Sequence, residues 1–252
     1  NEGVPVVPQV IAADADELAR LVDVIAPLGY RRIDLNMGCP FPLQARHGRG
    51  SGLLPLPERA AKIFERMRTY PELAFSVKLR LGWDDATQLD RLAPLVAAAP
   101  LVSVTLHPRL GVAGYKGTAD LTAFARFAAV CPHPLLYNGD LLTPSDVEAL
   151  VAAQPTVAGV MIGRGLLARP SLSAELRDGR EWSLAEQIDL LHRLHDGLHE
   201  AYARIVPGDE ALHRKLRPFW DSAEATIGRK AFKKVQKAGN LRNYLRAVDE
   251  IG

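Results

Sequence analysis

Two cysteines, Cys39 and Cys131, are all that the 252 residues contain. That is too few for a disulfide framework, so a reduced, cytoplasmic setting is expected. No CxxC or HxxxH spacing that would cage zinc is read, and no metal centre is expected. The sequence also lacks any apolar run of about 18 residues and any leader-like start, so neither a membrane span nor a signal peptide is expected. Charge of neither sign dominates: the formal balance is +2, which leaves the distribution of charge more informative than its sum. What remains is ordinary globular material, 48% apolar and 24% charged, enough for one large α/β domain with an appendage.

The stretch from Arg31 to Pro40 is the natural anchor. A strand-like run carrying Ile33 and Leu35 passes into a polar turn, Asn36-Met37-Gly38-Cys39-Pro40, and so sets Asn36 and Cys39 at the carboxyl end of a strand. That is the edge where parallel α/β sheets bind ligands. Strand-like runs before and after it alternate with helical ones. Val6 to Ile11 predicts a strand, followed by a helix capped by Asp14 or Asp16 and carrying Leu18, Leu21, Val22 and Ile25. A Gly-rich connection over 46–52 leads to a helix from Pro57 to Arg68, then a strand from Phe75 to Gly82 with Lys78 and Arg80 on one side. Helix Ala86–Ala98, strand Leu101–His107, helix Ala119–Ala129, strand Pro134–Tyr137, a helix opened by Thr143-Pro144 and strand Val157–Ile162 complete the series. Six strands alternating with helices predict βα units in a parallel sheet of barrel type. Cys131, between a helix and a strand on the side away from Cys39, reads as a structural thiol.

From Leu184 the strand pattern stops, and Ile188, Leu191, Leu194 and Leu198 start an all-helical segment. The expected division is 1–180 and 181–252. Between Pro207 and Val248 stand ten Lys/Arg against four Asp/Glu, a local balance of +6 that leaves −4 for the rest. Lys230, Lys233, Lys234 and Lys237 share one helical face, suited to phosphates or simply to solvent.

The strand ends offer a thiol (Cys39), two cations (Lys78, Arg80), an imidazole (His107), two amides (Gln9, Asn36) and two glycine-bearing turns, Asn138-Gly139-Asp140 and Gly163-Arg164-Gly165. Bare N–H groups at such glycines beside an arginine suit a phosphate over the last strands of a barrel. The sequence resembles the tRNA-dihydrouridine synthases. IDLNMGCP at 33–40, RHGRGSGLL at 46–54, VKLRLGW at 77–83, H-x-R with GYKGTAD at 107–120, NGD at 138–140 and VMIGRG at 160–165 follow that family's order.

The resemblance implies a TIM (β/α)8-type barrel, here with six βα units, and a C-terminal helical domain that binds tRNA. It implies FMN as cofactor, NADPH as electron source, and reduction of uridine to 5,6-dihydrouridine. Cys39 would donate the proton to uracil C5, a role open to an ordinary thiol because it is mostly protonated at neutral pH. Gln9, Lys78, His107, Asn138, Gly139, Asp140, Gly163 and Arg164 would hold FMN. Asn36, Arg80 and Tyr115 would orient a flipped-out uridine, and Lys215 with Arg217 would meet RNA backbone.

Against the family's eight strands the chain starts at what would be the third, so a fragment of a longer protein or a degenerate relative is expected. Pro108 stands where relatives usually have Gly, and Ser51-Gly52 also departs from the pattern. A monomer is expected. The alternatives are an FMN-barrel dehydrogenase acting on a free pyrimidine, which would not need the basic tail, and a non-catalytic RNA-binding relative, which would lack flavin absorbance. The GWD motif and the tail lean toward the bacterial subgroup that modifies the D-loop.

Overall fold

The structure is a computed structural model and describes residues 3–252. Six strands, β1 (Gln9–Val10), β2 (Arg32–Met37), β3 (Ala74–Gly82), β4 (Leu101–Leu110), β5 (Leu135–Tyr137) and β6 (Gly159–Val160), pair in parallel in chain order. The intervening helices are α1 (Ala15–Ile25), α2 (Pro42–Arg46), α3 (Pro57–Met67), α4 (Thr87–Ala98), α5 (Leu121–Ala128) and α6 (Pro144–Ala153). Successive βα units laid side by side are the wall of a TIM-type barrel.

The strands are apolar almost throughout because both faces are covered: Ile33, Leu35, Met37, Val77, Leu79, Val104 and Leu106 are all fully buried. Leu18 and Val22 of α1, Ile63 and Phe64 of α3, and Leu92 and Val96 of α4 supply buried helical faces. Each such side chain stabilises by about 1.5–3 kcal/mol. Asp14 caps α1 by accepting from the Glu17 N–H at 2.8 Å, and proline opens α3, as the sequence predicts.

Register places the chemistry. Asn36 pairs with Lys78 and Lys78 with Thr105, while Arg80 pairs with His107, so these polar residues line up at one end of adjacent strands. β4 runs past its expected end at His107 to Leu110. Arg80 faces His107 but Gly82 faces Leu110, an irregularity of one residue that leaves room for Pro108, which cannot donate to a regular ladder.

Beyond β6 the chain is helical: α7 (Arg164–Ala168), α8 (Leu172–Asp178), α9 (Leu184–Ala203), α10 (Asp209–Leu216), α11 (Glu224–Ile227), α12 (Arg229–Gln236) and α13 (Leu241–Asp249). Packing divides the protein into two compact units. One runs through Asp140 and includes Leu150–Met161; the other comprises Leu141–Ala149 and Ile162–Gly252. This division falls before the 180/181 boundary drawn from the end of the strand pattern, because α7 packs within the helical unit, where the Thr226 hydroxyl donates to the Ala168 carbonyl at 3.1 Å.

That second unit has its own core of Leu191, Leu216, Trp220, Val235, Tyr244 and Val248. A capping box between Ser183 and Glu186 starts α9. Inside the core, Trp220 Nε1 donates to the Tyr244 hydroxyl at 3.1 Å, and His195 Nε2 lies 2.8 Å from the same oxygen.

Candidate active site

The end of β2 is shaped by a chain of hydrogen bonds. Ser76 Oγ donates to Asp34 at 2.6 Å, Gln9 Nε2 donates to the other Asp34 oxygen at 2.7 Å, and Asn36 Nδ2 donates to Gln9 Oε1 at 2.8 Å. The Asn36 carbonyl oxygen then accepts the backbone N–H groups of Gly38 (3.0 Å) and Cys39 (2.8 Å). An asparagine closing on the N–H two and three residues ahead fixes a turn, and this one aims Cys39. From the other side, Ser51 N–H and Oγ both donate to the Cys39 carbonyl, at 3.0 and 2.8 Å. Gly50 is required at that contact. Its φ is +57°, and a Cβ there would stand 2.6 Å from the Cys39 oxygen. Arg49 anchors the same loop through a two-pronged ion pair with Glu17, at 2.6 Å for Nη2, which holds the Glu17 carboxyl below its usual range.

Cationic groups crowd the next two strand ends. Arg80 is 1% exposed, and its Nε and Nη1 donate to the carbonyls of Gly38 (2.9 Å), Leu110 (2.9 Å) and Gly114 (2.7 Å). It therefore ties the Cys39 turn to the loop after β4. Its guanidinium carbon also lies 5.6 Å from the Tyr115 ring centroid, and that ring, 58% exposed, is 6.2 Å from His107. Half-buried Lys78 donates no hydrogen bond among the described residues. Burial, with Arg80 nearby, pushes its pKa down to about 8.

His107 is 4% exposed, and burial, helped by Arg80, Lys78 and Arg109, lowers its pKa to about 3, so it is neutral at pH 7. Arg109 Nη1 donates to His107 Nε2 at 3.1 Å; since a guanidinium only donates, the imidazole proton is on Nδ1. Arg109 Nη2 donates to Gly117 O at 2.6 Å and pairs with Asp140. Its Nε is buried without an acceptor among the described residues.

Comparison with known proteins then decides the family. A family model described as dihydrouridine synthase (Dus) matches residues 1–250. The chain belongs to the dihydrouridine synthase family. A tRNA-dihydrouridine(16) synthase of Cupriavidus necator is 34% identical over 247 residues, covering 89% of this chain and 76% of the relative. A probable tRNA-dihydrouridine synthase of Rickettsia prowazekii is 31% identical over 207 residues, covering 79% of this chain and 63% of the relative. Among solved structures, a histamine dehydrogenase from Rhizobium sp. 4-9 shares the fold with a TM-score of 0.51 at 14% identity, over 66% of this chain and 27% of that one.

Of the residues singled out in the sequence, Gln9, Asn36, Cys39, Lys78, Arg80, His107 and Tyr115 gather in the first unit around the ends of β1 to β4. Asn138 directly follows β5, and its side-chain amide donates to the Met161 carbonyl at 2.8 Å. Gly139 has φ +156°, and Asp140, a non-glycine residue at φ +46°, takes the Ala119 N–H as well as Arg109. Gly163 and Arg164, both exposed, open α7 in the second unit. Lys215 and Arg217 there flank buried Leu216 and face solvent, and Lys230, Lys233 and Lys234 on α12 and Lys237 at its C-cap are likewise exposed. Lys234 pairs with Glu250.

Sequence reading missed Asp34, Ser76 and Arg109 as parts of the site. The H-x-R spacing could have found Arg109, because alternate residues of a strand share a face. It also passed over the four-residue spacing of His195 and His199 on α9. Their rings lie 6.3 Å apart, and both nitrogens of His195 have partners, Tyr244 and Asp196. Among the described residues no group of three or more ligand-type side chains could hold a metal, and no helix is long and apolar enough to cross a membrane.

Proposed function

We propose that this chain reduces uridine to 5,6-dihydrouridine in tRNA, using FMN reduced by NADPH, with Cys39 as the proton donor to uracil C5. The carrying observation is a pair of donors without acceptors at the strand ends that hold neutral His107: Lys78 Nζ and the buried Arg109 Nε. A donor held out of water without an acceptor is costly, so a strand end that keeps two of them, on half-buried Lys78 and on the Nε of an Arg109 whose other nitrogens are paired, fits an anionic or electron-rich group such as the phosphate or the pyrimidine edge of FMN. Bound and reduced, FMN would supply a hydride to C6 of the uracil ring.

This chain's own residues do the rest. Hydride at C6 leaves an electron pair on C5, conjugated with the C4 carbonyl; the Cys39 S–H bond breaks, a C5–H bond forms, and the thiolate left behind is reprotonated from solvent. Asn36, held by Gln9 and Asp34, keeps that thiol in place. Tyr115 presents an exposed ring on which a flipped base can stack, backed by Arg80. His107 offers Nδ1–H as a neutral donor, and Lys78 offsets negative charge on the cofactor. A reducing, cytoplasmic setting is supported by two cysteines that are both unpaired. Because the Cupriavidus necator relative is named for position 16, that uridine is the first to map, by mass spectrometry of tRNA before and after treatment.

The test is Cys39→Ala under single turnover, with reduced flavin and an unmodified tRNA transcript. Dihydrouridine formation is expected to fall by about 100-fold or more, the usual worth of a general acid, with tRNA affinity within twofold of wild type. An unchanged rate removes Cys39 from the chemistry.

A further inference from the structure

Immediately after the Cys39 turn, the first unit holds a cavity of about 510 Å³. One wall carries Arg46 and His47 from the end of α2, another Arg59 from α3, and the remainder is apolar, with Pro55, Leu56 and the Trp83 indole. No acidic residue lines it. Arg46 and Arg59 make no ion pair among the described residues, and both are exposed. His47 Nδ1 lies 2.8 Å from the Leu43 carbonyl, so that nitrogen carries the hydrogen and Nε2 is left as an acceptor.

The main chain of Trp83 is held on both sides. Its backbone N–H donates to Gln88 Oε1 at 2.7 Å, its carbonyl accepts from the Val112 N–H at 2.8 Å, and its ring lies against Gly111. Gly48, at φ +70°, lets the Arg59 guanidinium lie over the turn, since a Cβ there would meet Nη1 at 2.9 Å.

We infer that this cavity is a subsite for the nucleotide adjacent to the target uridine, its phosphate between Arg46 and Arg59 and its base against Trp83. The inference rests on the proposed reduction of uridine in RNA. Two cations without ion-pair partners call for an anion, and an indole packed on Gly111 beside them calls for a flat ring, which together describe a nucleotide. Position selects RNA as its source. Gly48 is two residues from Gly50, hence within about 7.6 Å between α-carbons, and Gly50 touches Cys39. A uridine flipped toward Cys39 brings its neighbours to that turn, and enzymes that extrude a base commonly grip the flanking nucleotides. RNA also supplies a 2′-hydroxyl that can donate to His47 Nε2.

The experiment compares wild type, the double variant Arg46→Ala/Arg59→Ala, Trp83→Leu and Trp83→Phe by binding of an unmodified tRNA transcript across a salt series. Circular dichroism confirms that each is folded. The arginine variant should bind about tenfold or more weaker, with the slope of log affinity against log salt shallower by about one. Trp83→Leu should weaken binding by at least fivefold with the slope unchanged, and Trp83→Phe should restore most of it. Affinities and slopes that match wild type overturn the subsite. So does an arginine variant that binds tRNA normally but is reduced more slowly by NADPH, which gives the cavity to the dinucleotide. Wild type that fails to bind tRNA at all overturns the proposed function itself, and the subsite with it.

Discussion

Lys78 and His107 stand on neighbouring strands of the site, and burial lowers both, yet one is charged and the other neutral at pH 7. Lys78, pushed to about 8, still carries its proton at pH 7, whereas His107, at about 3, does not. A cation is thereby fixed beside a neutral donor, a distinction set by where each group starts on the pH scale rather than by burial alone. The expected consequence is measurable. Flavin affinity should hold steady from pH 6 to 7.5, then weaken by about tenfold per unit above pH 8 as Lys78 loses its proton. Lys78→Met should bind flavin more weakly and show no such break; fluorescence titration at several pH values checks both.

At the scale of elements, Arg80 joins three of them: the turn after β2, the end of β4 and the loop beyond it, through the carbonyls of Gly38, Leu110 and Gly114. Lysine has one ammonium in place of a planar fork and cannot reach all three. Arg80→Lys should therefore cost about 2–4 kcal/mol, since a buried carbonyl left without a donor costs about 1–3 kcal/mol and the part-buried ones of Leu110 and Gly114 less; a lower thermal midpoint would register it. On α12, Lys234 is already matched by Glu250, which leaves Lys230, Lys233 and Lys237 as the cations to reverse. Changing those three to Glu should weaken tRNA binding by at least tenfold and flatten its salt dependence, read by filter binding. Unaltered affinity would make this face a solvated one.

For the whole molecule, three buried histidines govern behaviour in mild acid. Burial lowers His107 in the first unit and both His195 and His213 in the second, relative to about 6.5 in an unfolded chain. The folded state thus binds fewer protons, and stability falls as pH drops through 6.5. At pH 5 His107 alone should cost about 2 kcal/mol. Glu17 and Glu175 are held below the usual carboxylate range: hydrogen bonding from Arg49 lowers Glu17, and for Glu175 the bonds from Arg169, Ser171 and Trp182 more than reverse the effect of burial. They titrate lower still, so the window from pH 6.5 to 5 belongs to the imidazoles. Urea midpoints at pH 7.5, 6 and 5 should decline in order for both units, followed by a probe in each.

Much of this was legible one residue at a time. The alternation of apolar strands with capped helices prescribed six parallel βα units, because each strand and each helix must bury an apolar face. The polar turn ending Asn36-Met37-Gly38-Cys39 marked where chemistry would stand, and the start of α9 at Leu184 was equally plain. Strand extent was not legible. The runs Val6–Ile11 and Val157–Ile162 shrink to two paired residues each, since a strand exists only where a neighbour accepts its hydrogen bonds. Nor could sequence reveal that Asp34, twenty-five residues from Gln9 and forty-two from Ser76, governs the Cys39 turn, or that Arg109 fixes the tautomer of His107. Local pattern determined which groups reach the strand ends; only the lateral register of the sheet decided which of them touch, because hydrogen bonds and burial act between segments that the chain keeps far apart.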